Sequence, residues 1–267
     1  MTTAALSESV LVTHDGAVAI VAINRPERRN ALVQQTKDAL RAAVESVAGD
    51  HDVRAVVLTG SGGHFCAGQD LAEHASALED DPSHAFDTVD QHYSPIVSTL
   101  ATMPKPVIAA IEGVCVGAGL GFALSCDLRV IAANATVSTA FSSIALTCDS
   151  GLSYTLPRAV GEARARELIL LSEPMTGEQA HQAGLATRVV PAGSARQTAL
   201  ELAHRLAAGP TLAYAQSKEL IAESLSSSLD SMLSRESAAQ ARVGAAEDHA
   251  AAVAAFLAKQ APVFAGR

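Results

Sequence analysis

Apolar residues along the chain fall into two rhythms, and the alternation between them sets the fold class. Short, nearly continuous runs at Ala17–Ile23, Val53–Leu58, Val107–Ile111 and Leu128–Ala132 read as strands buried on both faces. Val10–Val12, ahead of the turn His14-Asp15-Gly16, predicts a hairpin with the first of them. Between the runs the spacing lengthens to three and four. Leu32, Thr36, Leu40, Ala43, Val44 and Val47 predict a helix ending at Gly49, and Val97, Leu100 and Met103 predict another ending at Pro104-Lys105-Pro106. Further along, the pattern predicts a strand at Thr136–Phe141, a loop at Ala145–Ser150, a helix over Leu156–Leu171 and a short strand at Ala186–Val190. Strands alternating with helices place the chain in the α/β class.

Two stretches depart from this alternation. Residues 73–90 are rich in Glu, Asp, Ser and His with little periodicity and read as a mobile surface segment. Beyond Thr176 the pattern is mostly helical. There Leu225, Leu229, Met232 and Leu233 share one face, which suits either a neighbouring subunit or ordinary core packing.

With 267 residues, 49% of them apolar, the chain can bury a large core as one domain, here taken as residues 1–200, with a helical appendage over 201–267. A formal charge of −9 argues against a nucleic-acid surface. The N-terminal MTTAALSESVLVTHDG lacks the basic and apolar regions of a signal peptide. The apolar run at 113–126 is too short and too rich in glycine to span a bilayer. Cys66, Cys115, Cys126 and Cys148 form no CxxC pair and read mainly as reduced, buried thiols. The expectation is a soluble cytoplasmic protein with no membrane partner and no metal.

The candidate chemistry lies in two small-residue turns, HFCAGQDL (His64–Leu71) and GVCVGAGLG (Gly113–Gly121), each following a buried strand and opening a helix. A helix start exposes unpaired N–H groups at its positive end, which suit a phosphate or a developing oxyanion. The glycines of the second turn fall as GxGxG, not as the dinucleotide fingerprint GxGxxG, and HExxH and GxSxG are absent. Two converging turns that each offer one N–H to a single oxygen suit a thioester carbonyl becoming an enolate.

At these residues the chain resembles the crotonase (enoyl-CoA hydratase/isomerase) superfamily. The resemblance rests on NRPERRNAL (Asn24–Leu32), VVLTGSGGHFCAGQDL (Val56–Leu71), KPVIAAIEGVCVGAGLGFALSCDLRV (Lys105–Val130), the segment Phe141–Gly161 and AFLAKQAPVF (Ala255–Phe264), in order over nearly the whole chain. It implies a spiral of strand–strand–helix turns, a C-terminal helical region that forms homotrimers and often hexamers, and an acyl-CoA thioester substrate. No cofactor is implied beyond the coenzyme A of the substrate. Carried over by motif, the oxyanion N–H groups fall on Gln69 and Ala118. The coenzyme A would run along Glu27, Arg28, Arg29, Ala67, Asp70, Leu71 and Ala72, with Phe256 and Lys259 near its adenine and phosphate end.

The departures are informative. The two glutamates of a typical hydratase fall on Gly121 and Phe141. Hydration asks one carboxylate to activate water and another to deliver a proton, so a double-bond isomerase is favoured, with a hydratase and a non-catalytic acyl-CoA-binding protein as alternatives. Asp149 stands where isomerases of the phenylacetate-degradation type carry an active-site aspartate; the alternative is a helix N-cap ahead of Leu152–Val160. Cys148 replaces the proline usual beside it. A dehalogenase would use the same aspartate as nucleophile, but its histidine falls on Ser94, with His92 nearby, and Phe141 replaces its tryptophan. Glu112 and Asp70 are the other acids weighed for the site, and both sit badly for it.

Overall fold

The computed structural model describes residues 9–267; residues 1–8, on which part of the signal-peptide reading rests, lie outside the described residues. The strands are β1 (Val10–Asp15), β2 (Val18–Ile23), β3 (Ala55–Gly60), β4 (Val107–Ile111), β5 (Val114–Val116), β6 (Leu128–Ala132), β7 (Thr136–Ser138), β8 (Met175–Thr176) and β9 (Arg188–Val190). One sheet has the order β1-β2-β3-β4-β6-β9, and a smaller one the order β5-β7-β8. The β1–β2 hairpin is antiparallel, and every further pairing in the large sheet is parallel.

The helices are α1 (Gln34–Gly49), α2 (Leu71–Asp80), α3 (Ser94–Thr102), α4 (Ala118–Ser125), α5 (Leu152–Val160), α6 (Glu162–Leu171), α7 (Gly177–Gln182), α8 (Ala195–Ala207), α9 (Thr211–Ser224), α10 (Leu229–Gly244) and α11 (Glu247–Leu257). The continuous apolar strands are explained by helices on both faces. Ala19, Val21, Ile23, Val56 and Leu58 join one core with Leu40 and Val44 of α1, Ile96 and Leu100 of α3 and Phe122 of α4. Val18, Ile20, Val57, Ile108 and Val130 join a second core with Ala195, Ala199, Leu202 and Ala203 of α8. The residue-200 boundary thus falls inside α8, a helix that packs on the sheet as one piece.

Four expectations are corrected. Residues 73–90 are largely helical: α2 forms without a strong apolar stripe because the Asp70 carboxylate accepts from the N–H groups of Ala72 and Glu73, at 3.2 and 3.3 Å. Turns follow, then a wide helical turn at Val89–Tyr93 that runs into α3. The helix expected over Leu156–Leu171 is two helices, broken at Gly161, whose φ of +80° ends α5. The strand expected to reach Phe141 stops at Ser138, since Ala140 turns left-handed and Phe141–Ile144 form a 3₁₀ turn. A short strand, β5, separates β4 from the turn that opens α4.

Of the shared face at Leu225–Leu233, only Met232 is buried. Among the described residues, no helix is long and apolar enough to cross a membrane.

Candidate active site

The two small-residue turns lie side by side. Cys66 N–H donates to Val114 O at 2.9 Å and Val116 N–H to Cys66 O at 3.0 Å, so the first turn is stitched to β5 just before α4 begins. Contact this close demands glycine. A Cβ on Gly68, where φ is +82°, would lie 3.0 Å from Val116 O and 3.6 Å from Ala118 N, and one on Gly119 would lie 2.6 Å from Cys66 O. From the other side, Leu32 N–H donates to Gly68 O at 2.8 Å and Asp70 N–H to Leu32 O at 3.1 Å, which fixes Gln69 between them. Gln69 N–H and Ala118 N–H have no acceptor among the described residues. Ala118 is the first residue of α4, so the positive end of that helix adds to its N–H. The two donors inferred by motif are therefore placed on adjacent turns.

Asp149 lies in the loop before α5. Its carboxylate does not cap that helix: Gly151 is the N-cap, and Asp149 contributes only its backbone O to Leu152 N–H, at 3.0 Å. The side chain instead accepts from Ser150 O–H at 2.7 Å. Burial pushes the Asp149 carboxyl above its ordinary range, with the Ser150 hydrogen bond opposing. Cys148 beside it is half-buried. The same loop fills the space above Gly121, where a Cβ would collide with Ser150 O and lie 2.5 Å from Ser150 Cβ. A glutamate therefore has no room at that position in this conformation. Phe141, at the second glutamate position, is buried in the main core.

Tyr93 has a part that sequence reasoning missed. It is 2% exposed, packs edge-on to Phe122 at 5.9 Å and donates its O–H to Gln69 Oε1. Burial raises its pKa, and the neighbouring Asp149 charge adds to that, so the phenol stays neutral. No spacing rule marks a lone tyrosine in a polar segment.

The coenzyme A residues divide. Glu27, Arg28 and Arg29 are exposed, and Arg29 O accepts from Ala67 N–H at 3.1 Å, which brings that loop to the first turn. Leu71 and Ala72 lie exposed on the first turn of α2. The Asp70 carboxylate is committed to capping α2 and to Arg25, 3.2 Å away. Burial favours its protonated form, but Glu73 N–H and Arg25 hold its pKa below the ordinary range. Phe256 is 81% exposed on α11 and Lys259 lies just beyond it. Among the described residues, no hydrogen bond or ion pair joins either to Glu27–Arg29.

Other candidates are occupied elsewhere. Glu112 accepts from Gly193 and Ala195 N–H at the start of α8. The ring nitrogens of His92 engage Thr88, Asp38 and Gln34, and Ser94 is exposed.

Comparison with known proteins gives the family. The Enoyl-CoA hydratase/isomerase family matches residues 13–267. The 1,2-epoxyphenylacetyl-CoA isomerase of Escherichia coli (strain K12) is 36% identical over 262 residues, covering 98% of this chain and 100% of the relative. The 2,3-dehydroadipyl-CoA hydratase of the same organism is 33% identical over 258 residues, covering 97% and 99%. A solved Mycobacterium abscessus structure described as an enoyl-CoA hydratase/isomerase superposes with a TM-score of 0.94 at 47% identity, covering 97% of this chain and 100% of that one. The chain belongs to the enoyl-CoA hydratase/isomerase, or crotonase, superfamily.

Proposed function

We propose that the protein is an enoyl-CoA double-bond isomerase in which Asp149 carries the proton. The thioester carbonyl sits between Gln69 N–H and Ala118 N–H. Asp149 removes a proton from the acyl chain, and the negative charge moves onto the thioester oxygen, where the two N–H groups stabilise the dienolate. The protonated Asp149 then returns the proton at the other end of the conjugated system, so the double bond moves and nothing is gained or lost. A carboxyl with a raised pKa suits this, since a stronger base takes a carbon-bound proton more readily. Coenzyme A is held along Glu27–Arg29, Ala67 and Leu71–Ala72, with Phe141 beside the acyl group and Phe256 and Lys259 at the adenine and phosphate end.

One observation carries the choice of isomerase over hydratase: Ser150 occupies the space a glutamate at position 121 would need, while Asp149 beside it is free of the helix cap. Only one of the two acids that hydration requires is then in reach. The test incubates purified protein with a 2-enoyl-CoA and its 3-enoyl isomer in D₂O, with mass detection. Isomerisation with deuterium uptake and no added water is the expected result. Rapid gain of water overturns the reading in favour of a hydratase, and absence of both reactions with tight thioester binding favours a binding protein.

The same reading includes a homotrimer. Leu229 and Leu233 of α10 and Phe256 and Leu257 of α11 are exposed on the single chain and are candidates for burial between subunits. Light scattering of the purified protein checks it: a trimer or hexamer mass is expected.

A further inference from the structure

A cavity of about 530 Å³ lies between α1, α2 and the segment 84–91, lined by Gln34, Lys37, Gln69, Glu73, His74 and Thr88 among others. Gln69 connects it to the thioester end: its N–H belongs to the proposed oxyanion pair, and the residue lines this cavity. The Gln69 oxygen is taken by Tyr93 O–H, and its NH₂ group has no partner among the described residues.

Lys37 is the unusual member. It is 2% exposed, and among the described residues its ion-pair partner is Glu73, whose Oε1 lies 3.7 Å from Nζ. Both Glu73 oxygens also accept from Gln34 N–H, at 2.9 and 3.0 Å, so Glu73 is shared between the start of α1 and Lys37. The face of Tyr93 lies 6.0 Å from Nζ. A lysine buried this deeply is ordinarily hydrogen-bonded as well as paired. Here Lys37, whose ammonium is paired with Glu73, and Gln69 line one cavity, and both keep N–H donors to spare.

We propose that this cavity takes an acyl group bearing an uncharged oxygen acceptor, a keto or hydroxyl oxygen, which accepts from Lys37 and Gln69. This deepens the isomerase reading and rests on the thioester lying at Gln69 and Ala118. A carboxylate is a poorer fit, because Glu73 already balances the Lys37 charge and Asp80 and Asp87 line the same cavity. A plain alkyl chain covers the remaining N–H donors of Lys37 and Gln69 without offering them an acceptor.

Saturated thioesters cannot isomerise, so their binding reads the cavity apart from the chemistry. Calorimetry would compare hexanoyl-CoA, 4- and 5-oxohexanoyl-CoA and adipyl-CoA on the whole protein and on Lys37→Met, which keeps an unbranched apolar stem and removes the ammonium. The expected result is that at least one oxo ester binds about tenfold more tightly than hexanoyl-CoA, and that adipyl-CoA binds no more tightly than the oxo ester. Lys37→Met removes the preference and leaves hexanoyl-CoA binding within about twofold. Equal or tighter binding of hexanoyl-CoA overturns the proposal, as does a preference that survives in Lys37→Met. Tighter binding of adipyl-CoA overturns the uncharged-oxygen assignment. Retained preference without isomerisation of any enoyl ester defeats only the isomerase reading, whereas failure of every thioester to bind defeats both.

Discussion

The two halves of the candidate site are built from different materials. The half proposed to meet the thioester oxygen is backbone: Gln69 N–H and Ala118 N–H, on turns pressed together through Cys66, Val114 and Val116. The half proposed to move the proton is one carboxyl, Asp149, which accepts from Ser150 O–H. Backbone donors are fixed by packing and are indifferent to which side chain follows, which is why alanine serves at position 118. They are sensitive to added atoms. A carboxyl has the opposite sensitivities: it depends on its own identity and on pH, and much less on close fit. Function is therefore more easily changed in the second half, and the fold more easily damaged through the first.

The largest expected effect is on the proton half. Asp149→Asn removes the base and keeps the shape, so turnover is expected to fall by about 10³-fold while thioester binding stays within a few-fold. Stability moves the other way. An acid whose folded pKa is raised binds more protons folded than unfolded, so its ionisation opposes folding as pH rises from the unfolded pKa through the folded one. At neutral pH the Asn variant is therefore expected to melt above the wild type, and the difference is expected to disappear at pH below the ordinary carboxylate range. Thermal melts at several pH values check this; an Asn variant that melts lower at neutral pH sinks the account of Asp149 as a carboxyl strained by burial.

The backbone half is tested by one methyl group. Gly119→Ala places a Cβ 2.6 Å from Cys66 O and 2.8 Å from Cys66 Cβ. In an open helix this change gains up to about 1 kcal/mol; here overpacking is expected to cost a net ~1–3 kcal/mol. Because the strain falls between the two donors, kcat is expected to drop by about 10- to 100-fold. The pH profile should not move, since Asp149 is untouched. Denaturant melts and kcat against pH read the two effects separately; a stable variant of full activity shows that the turns do not press together as described.

Much of this was legible in the sequence, for reasons that differ from element to element. The strands of the large sheet were visible because burial on both faces writes them as unbroken Val, Ile and Ala runs. The two turns were visible because only small residues allow Gly68 and Gly119 to approach their neighbours. Periodicity failed where local geometry decides: α2 is started by the Asp70 cap without an apolar stripe, and a single positive φ at Gly161 divides α5 from α6. Three features depend on residues far apart in the chain, which no local pattern encodes. Ser150 fills the space over Gly121, Tyr93 holds the Gln69 side chain, and Lys37 lies buried beside Glu73. Motif reading singled out Asp149 with a helix cap as its alternative, and only the structure separated its carboxylate from the start of α5.

The smallest effect sharpens the contrast most. Ser150→Ala keeps the Cβ that packs against Gly121 and removes only the O–H that donates to Asp149. That hydrogen bond favours the ionised carboxylate and lowers its pKa, while burial raises it. Without it the Asp149 pKa rises further. The base must be ionised to accept a proton, so the acid limb of kcat/KM is expected to move to higher pH. Turnover then falls several-fold on that limb and stays near the wild-type level well above it, where Asp149 is ionised in both proteins. Gly119→Ala should instead lower the rate evenly across the profile. A Ser150→Ala profile that drops uniformly, with its limb unmoved, would show that the serine serves packing alone and that the hydroxyl does not tune the base. A moved limb would separate the two halves of the site in a single pair of pH profiles, since only the half built from a side chain can respond to the loss of one hydroxyl in this way.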